Sequence, residues 1–245
     1  MRSRVIICAA LVVPLFGLAA VLGGAGRNAA PKDHEAEFAR TQMYIEFNAT
    51  DEDIGVQVAM DGEPWRELRI FRPGGRLIME VKGRRSLQLQ GFTELFFESS
   101  EPPLAQLPLP VFFARFPAGE YEFEGRTIDG RDIEGTAIFT HAIPEKPQIL
   151  TPAEGSSQNP DSLTVAWLPV PDPDGSEITA YQCTVTQVLD GVLPKRVFSV
   201  HVPADVVSVS VPPEFLQDNA EYDFEVLAIE SGGNQTIHAG TFFTP

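Results

Sequence analysis

Hydrolytic, metal or acid–base chemistry needs side chains that meet, and this sequence spaces its candidates apart. Its four histidines are His34, His141, His201 and His238. None belongs to a metal-type pair or lies beside a nucleophile motif, and the last three fall on or next to expected strand ends. Gly155-Ser156-Ser157 does not lead from a strand into a helix, so it lacks the setting of a nucleophile elbow. With 34 Asp and Glu residues, a carboxylate pair able to hydrolyse a glycosidic bond stays open as an alternative. The pattern as a whole points away from an enzyme.

Two acidic loops offer hard oxygen ligands instead. Asn48-Ala49-Thr50-Asp51-Glu52-Asp53 and Asp172-Pro173-Asp174-Gly175 both place aspartates one residue apart, and calcium takes about six to eight oxygens. Neither loop has the full spacing of a calcium hand. The competing reading is a solvated turn in which the loop residues set the backbone. Asp51 and Asp53 are the candidate calcium ligands, and no other cofactor is expected.

The basic residues are clustered. Arg66, Arg69, Arg72, Arg76, Lys82, Arg84 and Arg85 fall within twenty positions, with Trp65 and Phe71 among them. A basic face carrying an aromatic ring can hold an anionic polysaccharide or an acidic protein surface. Arg66, Arg69, Arg72, Arg76, Arg84, Arg85 and Trp65 are therefore the candidate binding residues. The same side chains can instead meet the acidic second half of the chain, or line the solvent face of a hairpin and keep its edge from aggregating.

Strands must position these residues. Met43-Tyr44-Ile45-Glu46-Phe47, Val56-Gln57-Val58-Ala59-Met60 and Ser86-Leu87-Gln88-Leu89-Gln90 alternate apolar and polar residues, with turn signals at Asp61-Gly62 and Gly74-Gly75. No sustained helical period follows residue 40. Phe92, Phe96, Phe97, Phe112, Phe113 and Phe116 read as core, and the proline-rich stretch 102–110 between them reads as an extended loop. Pro144-Glu145-Lys146-Pro147 reads as a stiff linker at 144–147. Beyond it, seven short alternating segments occupy about a hundred residues, the count of a simple sandwich.

Particular residues in that second half carry a resemblance. Trp167 ends the second strand, and Tyr181, Cys183 and Val185 share a face of the third. Leu216 stands six residues before Tyr222, the spacing of a tyrosine corner. Residues 147–245 thus resemble the fibronectin type III domain. Asp218 and Ala220 depart from its usual proline and threonine, and the family's Arg-Gly-Asp tripeptide is absent. Gly119-Glu120-Tyr121-Glu122-Phe123 echoes Ala220-Glu221-Tyr222-Asp223-Phe224, so both halves are expected to close with the same terminal hairpin, Tyr121 answering Tyr222. The fold expected is all-β: an immunoglobulin-like β-sandwich over 41–143 and a fibronectin type III domain over 148–245, behind a leader at 31–40.

The first thirty residues have another order. Arg2 and Arg4 precede an uncharged stretch, 5–26, that ends in small residues. This is the form of a secretory signal, with an uncleaved membrane anchor as the alternative. The remaining chain is expected to be exported, secreted or periplasmic if bacterial. Without residues 1–30 it carries 15 basic and 34 acidic residues, a net charge of −19, which repels nucleic acid. Cys183 is then the sole cysteine, expected inert and buried. Asn48-Ala49-Thr50 and Asn234-Gln235-Thr236 are glycosylation sequons, meaningful only in a glycosylating source.

The resemblance implies an adhesion-type binding module for a protein or polysaccharide of the cell envelope or exterior. The alternatives are a structural spacer in an envelope assembly and a small carboxylate hydrolase.

Overall fold

The structure, a computed structural model, describes residues 36–189 and 196–245. Residues 1–30, expected to be a secretory signal or anchor, with Cys8, His34 and the opening of the 31–40 leader lie outside the described residues. No helix among the described residues is long and apolar enough to cross a membrane.

The first half forms strands β1 (Ala36–Glu37), β2 (Arg40–Asn48), β3 (Asp53–Arg72), β4 (Arg76–Lys82), β5 (Phe92–Glu98), β6 (Gly119–Thr127) and β7 (Asp132–Phe139), with two short helices, α1 (Ser86–Gln90) and α2 (Leu109–Arg115). Strand β3 organises them. Its first half pairs with β2 and β5, and its second half with β4 and β6. β6 continues to β7, and β7 to β1. Two sheets therefore share one strand and enclose a core that includes Ile45, Val56, Leu68, Ile70, Phe123 and Phe139.

Two local expectations are corrected here. Asp61-Gly62 is not a reversal: the strand bends and runs on, because both of its halves find partners. Gly62 permits the bend, since a Cβ there would lie 2.9 Å from a Phe38 ring carbon. Residues 86–90 form a helical turn rather than a strand, leaving Leu87 and Leu89 exposed. The edge of β3 beside them is already taken by β4 and β5, so alternation there has no ladder to join. The proline-rich stretch is not an extended loop throughout: the Leu104 N–H bonds the Glu52 carbonyl at 2.7 Å, and the Leu107 N–H then turns back to the Pro103 carbonyl at 2.9 Å. It then enters α2, which buries Phe112.

The second half forms β8 (Ile149–Thr151), β9 (Ser156–Ser157), β10 (Thr164–Trp167), β11 (Ile178–Gln187), β12 (Val197–Pro203), β13 (Ser208–Ser210), β14 (Glu221–Glu230) and β15 (Gln235–Phe243). A three-stranded sheet, β8-β10-β13, packs on a four-stranded one, β12-β11-β14-β15. Trp167, Tyr181, Cys183, Val185, Tyr222 and Phe242 fill the space between. The Tyr222 phenol oxygen accepts the Gln217 N–H at 2.7 Å, so the corner forms despite Asp218 and Ala220. This is a fibronectin type III-like sandwich. In the first half Tyr121 donates to the Pro117 carbonyl at 3.1 Å, at the entry to the matching hairpin.

The sheets do not stop at the linker. The first three residues of β15 pair in parallel with β2, Gln235 to Glu46, Thr236 to Phe47 and Ile237 to Asn48. One hydrogen-bonded sheet thereby runs from β1 through β7, β6, β3, β2, β15, β14 and β11 to β12.

Candidate functional site

The register explains the fate of the basic cluster. On the outer face of β4-β3-β6-β7, Lys82, Glu67, Arg126 and Asp132 form one cross-strand row, and Glu80, Arg69, Glu124 and Glu134 the next. Arg69 bonds Glu67 at 2.5 Å and Glu80 at 2.9 Å; Lys82 bonds Glu67 at 2.7 Å and Arg126 bonds Asp132 at 2.8 Å. The hydrogen bond from Lys82 is the main reason the Glu67 carboxyl lies below its usual range. Arg69 is thus paired, not free.

The remaining candidates do not join it. Alternation puts Arg72 on the opposite face of β3 from Arg69, with its Nε buried and unpartnered. Arg66 is half-buried, while Arg76, Arg84 and Arg85 are exposed around the hairpin ends. Trp65 corrects the expectation most clearly: it is fully buried and stacks on Phe92 with ring centres 4.8 Å apart. A single basic face with an aromatic at its centre does not form. What lies open beside the paired rows is a groove lined by Glu37, Glu120, Glu122, Glu124 and Glu134, with Phe38 and Thr41.

The acidic loops are held as turns. Asn48 Oδ1 accepts the N–H groups of Thr50 and Asp51, at 2.9 and 3.2 Å, and Asn48 Nδ2 donates to Asp51 Oδ2 at 3.2 Å. Asp172 Oδ1 accepts the Ile178 N–H at 2.7 Å, and Gly175 supplies a φ of 79°. Asp53 stands apart, its Oδ1 buried without a partner. Burial, then Asp51 and Glu98, raise its carboxyl above the ordinary range.

Carboxylates converge elsewhere. One oxygen each of Glu46, Glu98 and Glu101 lie within 4.8 Å of one another, the one such His/Cys/Asp/Glu group among the described residues. Alternation turns Glu46 away from the core, beside Gly55 of β3. A Cβ at Gly55 would lie 2.7 Å from Glu101 Cγ, so the missing side chain is what admits Glu101. Gln57, fully buried, sits across from both Tyr44 and Glu98. Its Oε1 accepts the Tyr44 hydroxyl at 2.8 Å, and its Nε2 faces the Glu46 carboxyl without a well-formed hydrogen bond. Glu101 Oε1 is likewise buried and unpartnered. Glu46 Oε2 accepts from Gln235 Nε2 of β15. Burial, helped by Glu98 and Glu225, pushes Glu46 up to about 8. Burial, helped by Glu46 and Glu98, pushes Glu101 up to about 9.

His141, His238 and the sequons serve the junction or the core, whereas His201 is exposed on β12. Asn234 Nδ2 donates to Thr140 Oγ1 at 2.8 Å and to the Ala142 carbonyl at 3.2 Å. With Asn234 only 1% exposed, the folded chain offers that sequon no room for a glycan. Asn48 is buried as well. Thr236 Oγ1 donates to the Pro144 carbonyl at 2.7 Å, and His238 Nδ1 lies 2.6 Å from the Pro147 carbonyl. His141 stacks on Phe113 at 4.0 Å. Cys183 is fully buried, and burial pushes its thiol up to about 12.

Sequence reasoning missed Glu46, Glu98, Glu101 and Gln57 because they meet only through tertiary pairing. The signal that could have found Glu46 is the isolated Gly55 inside a strand pattern, which marks a close approach.

The chain is similar to the FN1-FN3 domains of chicken CNTN1 over 85% of its own length, at 11% identity and a TM-score of 0.32, and it spans 65% of that protein segment. It is similar to a two-domain fibronectin type III segment of chicken tenascin over 84% of its length and 96% of that segment, at 12% identity and a TM-score of 0.29. No family model and no curated protein matches the chain.

Proposed function

We propose that this chain is a non-catalytic interaction module of the cell exterior or envelope, in which two sandwiches act as one stiff arm. The pairing of β15 with β2 carries that reading. Bending at 140–147 would break this ladder together with the bonds of Asn234, Thr236 and His238 to the connecting segment. Each such bond contributes roughly 0.5–1.5 kcal/mol net, so several acting together hold the joint well above thermal energy. The basic-then-apolar order of residues 1–30 supports export. A hydrolase is disfavoured by geometry: glycosidase carboxyls stand about 5–9 Å apart across an open cleft, whereas Glu46 is buried and within 4.8 Å of its neighbours. Backbone ¹⁵N relaxation tests the arm. One rotational correlation time for both sandwiches is expected; two distinct times would defeat the reading.

A second reading concerns what the arm touches. The glutamates of the open groove favour a cationic protein segment over an anionic polysaccharide. A Lys/Arg-rich decapeptide should bind the full chain and lose affinity in Glu122→Gln/Glu124→Gln/Glu134→Gln. An equal loss in Asp205→Asn/Glu214→Gln/Asp218→Asn would reduce the effect to net charge.

A further inference from the structure

We propose that Glu46, Glu98 and Glu101, with the side-chain carbonyl of Gln57, bind one hard divalent cation of the calcium class beside the junction of the two sandwiches. The inference does not depend on the stiff-arm reading.

The geometry carries it. Three carboxylate oxygens within 4.8 Å of one another come from β2, the end of β5 and the strap that follows β5. Gly55 holds the space open for the third, because any side chain there would collide with Glu101. An independent feature points the same way. Gln57 is 0% exposed, and its Nε2 faces the Glu46 carboxyl without a well-formed hydrogen bond. Turning that amide over places its carbonyl oxygen in the cluster, and the Tyr44 phenol oxygen then accepts from the NH₂ in place of donating. Glu101 Oε1, also buried and unpartnered, finds a ligand role in the same step. An orphaned buried polar atom costs roughly 1–3 kcal/mol, and a cation resolves both at once.

The donor set selects the ion. It contains oxygen alone, which suits a hard cation and not zinc or copper. The donors come from separate segments with no octahedral frame, which suits the loose coordination of calcium better than the strict geometry of magnesium. Because Glu46 is bonded to Gln235, an ion here would brace β2 against β15.

The test is calorimetric titration of the chelator-treated full chain with calcium chloride at pH 8, with thermal melts in calcium and in chelator. One site and a higher Tm in calcium are expected. Glu101→Gln and Glu46→Gln should each weaken binding by more than about tenfold, the scale on which even outer partners tune metal affinity. Both should still fold and melt near the wild type in chelator, since glutamine fills the same space and carries no charge to bury. Asp51→Asn should keep the calcium response. Three results would overturn the site: no heat and identical melts in calcium, undiminished binding in Glu46→Gln/Glu101→Gln, or a response lost in Asp51→Asn and kept in Glu101→Gln.

Discussion

Asn234 Oδ1 accepts the backbone N–H of Ile45 at 2.8 Å, although 189 residues separate them. The same side chain donates to Thr140 and Ala142 from its other end. One amide thus ties β2, the connecting segment and the start of β15 together. Asn234→Ala leaves the Ile45 N–H and two acceptors without that partner in a buried setting. A loss of about 2–4 kcal/mol is expected, read by urea denaturation, with the tyrosine-corner hairpins unaffected.

Trp65 belongs to the core, and its substitution should report stability, not binding. Trp65→Ala should cost about 3–5 kcal/mol. Trp65→Phe should cost much less, because it keeps a ring against Phe92 and removes an indole N–H that has no partner. Melting temperatures of the two variants check the order.

Arg69 should matter little to either. Its bonds to Glu67 and Glu80 lie on an exposed face, where solvent screens ion pairs. Arg69→Ala should leave the melting temperature nearly unchanged. Affinity for a polyanion such as heparin should be weak in the wild type and unchanged in the variant; a strong, Arg69-dependent affinity would restore a basic contact face.

Acid should loosen the connecting segment through His238. Burial, with Lys146 adding to it, holds this imidazole below its usual 6.5 against the opposing effect of the Pro147 bond. The native state therefore takes up its proton later than the unfolded chain as pH falls. The stabilising contribution is complete above about 6.5 and is lost as pH drops through the folded value. His201, also lowered by burial, acts in the same sense. The His238 contribution should be lost between pH 7.5 and 5.5, read as a narrowing stability difference between wild type and His238→Asn over that range, against the opposite trend set by the raised carboxyls of Glu46 and Glu101.

The second sandwich was legible because its markers are local: Trp167, Tyr181 and the Leu216–Tyr222 spacing each sit within one or two strands and all are buried. The first half was legible only where alternation coincided with a free ladder position. Residues 86–90 alternate as well as 43–47 do, but the edge of β3 beside them is taken by β4 and β5. Nor does composition reveal charge pairing. Arg66 to Arg85 looks like a basic face until register sets Glu67, Glu80, Glu124 and Asp132 among its members. The junction was hidden for the same reason. Glu46, Asn234 and Gln235 carry no pattern of their own, and only the parallel pairing of β15 with β2 gives them a common place.

The stiff arm is tested most directly by a distance measured across the joint. In a Cys8→Ser background, Arg76→Cys and Asp218→Cys place spin labels on exposed positions of the two sandwiches, while the fully buried Cys183 stays unlabelled. Double electron–electron resonance on the full chain should give one narrow distance distribution, broadened when Asn234→Ala and Thr236→Val are added. A broad or two-peaked distribution in the otherwise unaltered protein would contradict a sheet that locks the two sandwiches together.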